Sequence, residues 1–216
     1  MKLLIVGDSF CADGANDQSW VKQLSLAHGH DVISKSFPGQ SWWHQRRWLI
    51  NNIDVIKADV LIILHPNKSR LHSIEDDVLN QGTMFALDES ELSSIQKLAK
   101  KVYASDLFDP EYQTWAIKKW VNEISFIHTE KFKKVIQCLG SEDDETIFID
   151  KISKNNIIVT TPLVNVSLGE TGFKGFYKDQ RSNHLNTENN LFLADFFNSL
   201  IHGDQMSGKV AWQTHE

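Results

Sequence analysis

Several features that define large classes of protein are scarce or absent in this 216-residue sequence. It holds only two cysteines, Cys11 and Cys138, which excludes a disulfide framework and fits a reducing compartment. No run of about 18 apolar residues occurs, so the sequence predicts no membrane-spanning segment and no membrane partner. The apolar run at residues 3–6 is too short for the core of a signal peptide. We therefore expect a cytoplasmic protein.

Positive charge is in deficit, and the common metal-binding motifs are missing. Lysine and arginine number 22 against 28 aspartates and glutamates, which gives a formal charge of −6. Nucleic-acid binding driven by net charge needs a basic face, so no nucleic-acid partner is expected. The nine histidines form no HExxH motif, and the chain has neither a CxxC pair nor an Asp-rich loop. The sequence therefore predicts no metal site.

The residues that are present are typical of one globular α/β domain. The hydrophobic fraction is 41% and the charged fraction 23%, which is enough to bury a core and too apolar for disorder. Near-continuous apolar runs predict buried strands of a parallel sheet. These runs are residues 2–6, 32–36, 60–64, 134–139 and 156–160. Helical spacing occurs between and after them, at residues 18–27, 42–56 and 191–201. Alternating strands and helices predict an α/β fold with right-handed crossovers.

The chain between the third and fourth strands is long for one crossover. Residues 90–105 and 110–127 have the pattern of two helices, and Asp109 followed by Pro110 is typical of a helix start. Trp115, Trp120, Val121 and Ile124 are expected to form the packing stripe of the second helix. We interpret residues 80–129 as a helical insertion in a single domain of residues 1–202, followed by a tail at 203–216. Ser141 with the acidic residues after it predicts a capped helix to about residue 154.

Polar residues follow the strands at the positions where α/β proteins place their chemistry. In such sheets the ligand site lies outside the carboxyl ends of the strands. Ser9 follows the first strand, Gly39 the second and Asn67 the third, while His184 precedes the last helix. A serine hydroxyl, a backbone N–H at a glycine, an asparagine amide and a histidine are the components of acyl transfer. For each of these residues alone, a turn or a helix cap is the alternative role.

Together these motifs resemble the SGNH/GDSL hydrolase family, whose blocks centre on Ser, Gly, Asn and His in that order. Gly7, Asp8 and Ser9 match its first block. The resemblance implies a flavodoxin-like three-layer α/β/α fold, with a five-stranded parallel sheet in the order 2-1-3-4-5. It also implies a serine esterase without a metal or organic cofactor. Ser9 would be the nucleophile and His184 the base. The N–H groups of Ser9 and Gly39, with the amide of Asn67, would form the oxyanion hole.

Two departures from the family pattern leave alternatives open. The third block usually reads Gly-x-Asn-Asp, whereas this chain has His65 and Lys68 on either side of Pro66 and Asn67. The last block usually places an Asp three residues before the His, where this chain has Arg181. Asp179 is then the candidate that orients His184, and a Ser–His dyad is the alternative. A binding module that has lost turnover, and an acyltransferase on the same fold, are the alternative functions.

Side chains near these motifs suggest a small-molecule or carbohydrate ester as substrate. Trp42 and Trp43 follow Gly39, where their rings could stack on a sugar, which favours an O-acetyl group on a carbohydrate. Core packing is the alternative for either ring. Arg46 and Arg47 could meet an anionic substrate or form a solvated face. Cys11 is expected to be a small buried side chain rather than a second nucleophile.

Overall fold

Five strands form one parallel sheet in the computed structural model, which describes residues 1–11, 19–37, 41–66, 90–103, 105, 109–127, 130–139, 157–159 and 187–203. The strands are β1 (Lys2–Gly7), β2 (Asp31–Ser36), β3 (Val60–His65), β4 (Lys134–Leu139) and β5 (Ile157–Val159). Their order is β2-β1-β3-β4-β5, and every neighbouring pair is parallel. The predicted sheet and its 2-1-3-4-5 order are confirmed.

Helices cover both faces of this sheet. The described helices are α1 (Trp20–Leu26), α2 (Trp42–Asn52), α3 (Ser94–Val102), α4 (Pro110–Ile127) and α5 (Thr187–His202). α1 and α5 pack on one face, and α2 and α4 pack on the other. The first face buries Leu3, Ile5, Val60, Ile62, Leu64, Ile136 and Cys138, and the second buries Leu4, Val6, Leu61, Ile63 and Val135. Alternate residues of each strand therefore enter opposite cores, which confirms the three-layer α/β/α architecture.

The helices begin at the capping residues that the sequence indicates. Ser19 precedes α1, and its Oγ accepts a hydrogen bond from the Lys22 N–H at 3.3 Å. Asp109 precedes α4, and its Oδ1 accepts from the N–H groups of Glu111 and Tyr112 at 2.9 and 3.1 Å. Each cap satisfies N–H groups that have no partner within the helix. The predicted start of α4 is thus confirmed to the residue.

The bounds of α2 and α3 differ from the predicted ones by several residues. α2 ends at Asn52 rather than near residue 56, because the Asn52 side chain bonds back to the Trp48 carbonyl at 2.8 Å and the chain then turns. α3 begins at Ser94 instead of residue 90, because Ser93 and Gln96 form a capping box. The end of α2 and the start of α3 are therefore set by polar side chains, and a change in the apolar spacing does not mark them.

One residue of the predicted α4 packing stripe was placed on the wrong face. Trp120, Val121 and Ile124 are buried as expected, but Trp115 is 56% exposed. The buried line of α4 also includes Ile117, which lies two residues, or about 200°, from Trp115. The apolar character of Trp115 predicts burial, but its angular position around α4 exposes the side chain to solvent.

The region interpreted as an insertion contributes directly to the core. α4 carries Ile117, Trp120, Val121 and Ile124 into the second core and ends just before β4, so it is packed as a crossover helix. The domain boundaries stay predictions. The helix predicted at residues 141–154 and the tail from residue 204 lie outside the described residues. No helix in the described part of the chain is both long and apolar enough to cross a bilayer.

Candidate active site

Ser9 lies in a tight turn at the carboxyl end of β1. The strand ends at Gly7, and residues Ser9–Cys11 form one turn of 3₁₀-helix directly after it. A Cβ atom added to Gly7 would lie 2.2 Å from Cys11 Sγ and 3.1 Å from Leu64 Cβ. Only glycine therefore allows the chain to reverse so closely that Cys11 packs against the strand it has just left. Ser9 is half-buried at the edge of the sheet where the site is expected.

Hydrogen bonds fix the shape of this turn. The Asp8 carbonyl accepts from the Cys11 N–H at 3.0 Å, and Asp8 Oδ1 accepts from the Phe10 N–H at 3.0 Å. The Asp8 side chain is buried, so its carboxylate supports the backbone around Ser9. Cys11 is fully buried, which confirms its predicted packing role and leaves Ser9 as the accessible nucleophile candidate of this turn.

A chain of hydrogen bonds joins the Ser9 turn to the last helix. The indole N–H of Trp20 donates to the Phe10 carbonyl at 2.8 Å. The backbone N–H of Trp20 donates to Asn190 Oδ1 at 2.9 Å, and Asn190 is buried in the first turn of α5. His184 precedes the start of α5 at Thr187 by three residues, a span of at most about 10 Å. The start of α5 is therefore attached to the same α1 residue that bonds to the Ser9 turn.

A second buried amide ties the start of α2 to the end of β3. Gln45 is fully buried, and its Nε2 donates to the Leu64 carbonyl at 3.1 Å. α2 begins three residues after Gly39, and Leu64 lies three residues before Asn67. Ser41, the N-cap residue of α2, is also buried, and its Oγ has no hydrogen-bond partner among the described residues. The described residues that adjoin Gly39 and Asn67, two of the three expected oxyanion donors, are thus fixed to each other.

His65 anchors the end of β3 to the neighbouring strand and to α4. Its Nε2 lies 2.9 Å from Gln137 Oε1, and Gln137 Nε2 donates to the Val121 carbonyl at 3.2 Å. Because Gln137 uses its amide N–H toward Val121, its oxygen accepts, and the neutral His65 ring carries its proton on Nε2. Burial of the ring lowers the His65 pKa to about 4, so the side chain is neutral at pH 7.

The two tryptophans that follow Gly39 have different surroundings. Trp42 is buried in the second core. Of the two roles that the sequence allows for it, substrate binding and core packing, the structure shows packing. Trp43 is half-buried at the edge of that core, and the Arg46 guanidinium lies 5.1 Å from its ring centroid. Trp43 is therefore the tryptophan of this pair with ring surface still open to solvent.

Arg46 is committed to the protein rather than to a ligand. Its Nε and Nη2 bond to Glu123 Oε2 and Oε1 at 2.7 and 2.6 Å, which joins α2 to α4 in a bidentate pair. Its guanidinium also lies 6.0 Å from the ring centroid of Trp120. Arg47, one residue later, is exposed. The sequence left two roles open for these arginines, contact with an anionic substrate or a place on a solvated face. Arg46 has neither role in the structure, and Arg47 lies on a solvated face.

Replacing Arg46 with methionine is expected to lower the free energy of unfolding by about 2 kcal/mol, because Glu123 would lose its bidentate partner while three-quarters buried. Arg47→Met removes the same charge from the exposed face of the same helix and should cost less than about 0.5 kcal/mol. Urea unfolding followed by circular dichroism measures both values. Equal losses for the two variants would show that the pair adds nothing.

Four of the predicted site residues lie outside the described residues. They are Gly39, Asn67, Asp179 and His184. Their roles stay predictions, as does the choice between a dyad and a triad. Within the described part of the chain, no group of three or more His, Cys, Asp or Glu side chains could hold a metal ion.

The supporting side chains of the site were not singled out from the sequence. A polar side-chain atom bonds to the backbone of another segment in each of four residues, namely Trp20, Gln45, Gln137 and Asn190. The available signal was a polar residue among apolar ones in a core-facing helix or strand, as Gln137 is in β4. Such a residue is buried only when it has a hydrogen-bond partner.

Comparison with solved structures places this architecture among known folds. An esterase, EstA from Pseudoalteromonas sp., superposes with a TM-score of 0.51 at 14% identity, over 94% of this chain and 97% of its own. A protein from Desulfitobacterium hafniense, described as lipolytic and of the G-D-S-L family, gives a TM-score of 0.51 at 16% identity, over 92% and 98%. A catalytic mutant of Axe2, an acetylxylan esterase from Geobacillus stearothermophilus, gives 0.50 at 12% identity, over 99% and 97%.

The chain has the SGNH/GDSL hydrolase fold. The likeness covers nearly the whole chain and the whole of each compared protein, so it is not confined to a shared sheet. No protein-family model matches the sequence, and no curated protein matches it. At identities of 12 to 16%, the fold is what these structures share with the chain. One fold can carry many activities, so the activity depends on the residues of the site.

Proposed function

We propose that this protein is a serine esterase that hydrolyses a carboxylic ester through Ser9 and His184. The observation that carries the proposal is the Ser9 turn, in which Gly7 lets the chain reverse at the carboxyl end of β1 and leaves the hydroxyl at the sheet edge. The compared structures that share the SGNH/GDSL hydrolase fold include proteins described as esterases. The sequence supplies the remaining components in the matching order.

The reaction would follow the two steps of acyl transfer. Ser9 Oγ attacks the ester carbonyl while His184 takes its proton, and the tetrahedral oxyanion accepts hydrogen bonds from the N–H groups of Ser9 and Gly39 and from the Asn67 amide. The alcohol leaves with the proton from His184, and the acyl group stays on Ser9. Water, deprotonated by His184, then releases the acid and restores the serine. Asp179 would orient His184 from the preceding loop.

Two features of the structure support this assignment of roles. The Trp20 contacts to Phe10 and Asn190 attach the start of α5 to the nucleophile turn, so a residue just before α5 can reach Ser9. The Gln45 contact to Leu64 fixes the approach to Gly39 against the approach to Asn67. Both attachments lower the conformational freedom of groups that must meet in the transition state.

We propose a short acyl group on a carbohydrate as the substrate. Trp43 is half-buried beside the Gly39 block and keeps ring surface on which a sugar could stack. One of the compared structures, Axe2, is described as an acetylxylan esterase, which is consistent with this class.

Release of p-nitrophenol from p-nitrophenyl acetate tests the proposal. His184→Ala is expected to lower kcat by at least about 10³-fold, because the base is lost. Asp179→Asn distinguishes a Ser–His–Asp triad from a Ser–His dyad. Loss of the acid should lower kcat by about 10⁴-fold in a triad and leave kcat unchanged in a dyad. Product analysis with an added alcohol distinguishes hydrolysis from acyl transfer. A wild-type protein without activity, together with no labelling of Ser9 by a fluorophosphonate, would favour a binding module.

A further inference from the structure

α3 carries an apolar stripe that faces solvent. Ile95, Leu98 and Val102 recur at helical spacing, and their exposed fractions are 58%, 62% and 37%. No residue of α3 is buried. The helix nevertheless packs against the body through Tyr103, which follows it and is 6% exposed. Large aliphatic side chains that share one face of a helix normally face the core, so this arrangement requires another explanation.

Lysines occupy the opposite face of α3. Lys97, Lys100 and Lys101 lie within its nine residues, and the helix contains no acidic residue. Lys97 and Lys101 are exposed. The formal charge of the whole chain is −6, so α3 is a local positive element on an acidic protein. An aliphatic stripe opposite a lysine face is the pattern of helices that lie in a lipid–water interface.

Exposed aromatic rings also occur on α4, the next described helix along the chain. α4 is about 27 Å long and ends near the amino end of β4, so it begins at the carboxyl side of the sheet. α3 ends eight residues before that start, within at most about 28 Å. The first turns of α4 add two further exposed rings, since Tyr112 and Trp115 are 50% and 56% exposed and stack with centroids 6.0 Å apart. Tyrosine and tryptophan favour the interfacial region of membranes.

We propose that α3 docks the protein on an anionic lipid surface. Ile95, Leu98 and Val102 enter the acyl boundary, and Lys97 and Lys101 meet the headgroup phosphates. Charge complementarity favours this occupant over a second copy of the chain, because an anionic lipid surface takes up both the aliphatic stripe and the lysine face, whereas a second copy packed on the stripe would leave the lysine face unused. The sequence analysis expected no membrane partner, and this inference replaces that expectation with a peripheral contact that spans no bilayer. It is independent of the esterase proposal, since it concerns binding without turnover.

Co-sedimentation with vesicles tests the inference. The wild-type protein should sediment with phosphatidylcholine vesicles that contain a quarter phosphatidylglycerol, and much less with pure phosphatidylcholine. Leu98→Glu should lower the binding constant by about tenfold or more, because it removes apolar contact and adds a repelled charge. The matched control is Val55→Glu, which adds the same charge at a residue that is 77% exposed after α2 and should retain most of the binding. Both substituted side chains are exposed, so both variants are expected to fold.

A charge variant completes the design. Lys97→Glu with Lys101→Glu should lower binding to the anionic vesicles by about tenfold or more and raise the salt sensitivity of what remains. The inference is overturned if the wild-type protein does not sediment, if both vesicle types bind it equally, or if Val55→Glu lowers binding as much as Leu98→Glu. Sedimentation velocity without vesicles gives a further contrary outcome, namely a wild-type dimer that Leu98→Glu converts to monomer.

Discussion

Replacing Ser9 with alanine is expected to lower kcat for p-nitrophenyl acetate by at least about 10³-fold, with no measurable change in thermal stability. The catalytic loss follows because no other accessible hydroxyl or thiol of this turn can attack the carbonyl. Cys11 is the nearest alternative, and its side chain is fully buried. Stability should persist because the turn is held by backbone and carboxylate groups of Asp8 and by Trp20, none of which uses the Ser9 hydroxyl.

A matched variant separates loss of the nucleophile from loss of any serine. Ser25→Ala removes a hydroxyl from the exposed face of α1 and should leave kcat within about twofold of the wild-type value. Mass spectrometry after fluorophosphonate treatment should place the adduct on Ser9 in the wild-type protein and find none in Ser9→Ala. Full activity in Ser9→Ala, or an adduct on another residue, would refute the assignment of the nucleophile.

Acidification is expected to destabilise this protein through His65, with up to about 3 kcal/mol lost between pH 6.5 and pH 4. The pKa of the buried ring falls from 6.5 to about 4 because burial disfavours the imidazolium. The unfolded chain therefore takes up a proton first as the pH falls, and this uptake favours unfolding. The stabilising contribution of His65 is complete above pH 6.5 and is lost as the pH approaches 4.

Urea unfolding at a series of pH values measures this loss, and His65→Gln should flatten it. The glutamine variant does not titrate, so the part of the pH dependence due to His65 disappears even if the variant is less stable at pH 7.5. A smaller slope of the same sign should remain, because burial also lowers the pKa of His30. An unchanged slope in His65→Gln would show that the ring is not held neutral.

The sheet could be predicted because its strands are apolar on both faces. Residues 60–64 alternate between the two cores, so the run is continuously apolar and marks β3 to within one residue. The order of the strands came from the resemblance carried by the motifs around Ser9 and His184. Burial of Trp120 and exposure of Trp115 could not be separated by composition, because only the angle around α4 distinguishes them.

The sequence suggests the candidate reacting groups of the site, but it does not show which buried side chains hold the backbone around them. Ser9 was marked by its place after a strand and beside Gly7. Gln45, Gln137 and Asn190 are polar residues whose partners are carbonyl or N–H groups of other segments, so the local pattern can mark such a residue as buried but cannot name its partner. Arg46 was misjudged for the same reason, since its partner Glu123 lies 77 positions away.

The Trp20–Asn190 hydrogen bond joins residues that are 170 positions apart. Contacts that close so long a loop form late in folding, because the entropy of loop closure must be overcome first. β1, β2 and β3, by contrast, lie within the first 65 residues and can pair while the rest of the chain is still being synthesised. A nascent chain would therefore hold a shaped Ser9 turn long before α5 docks on α1. In the proposed mechanism, Ser9 would therefore meet its base, His184, only in the last step of folding, and a chain that lacks α5 would be inactive.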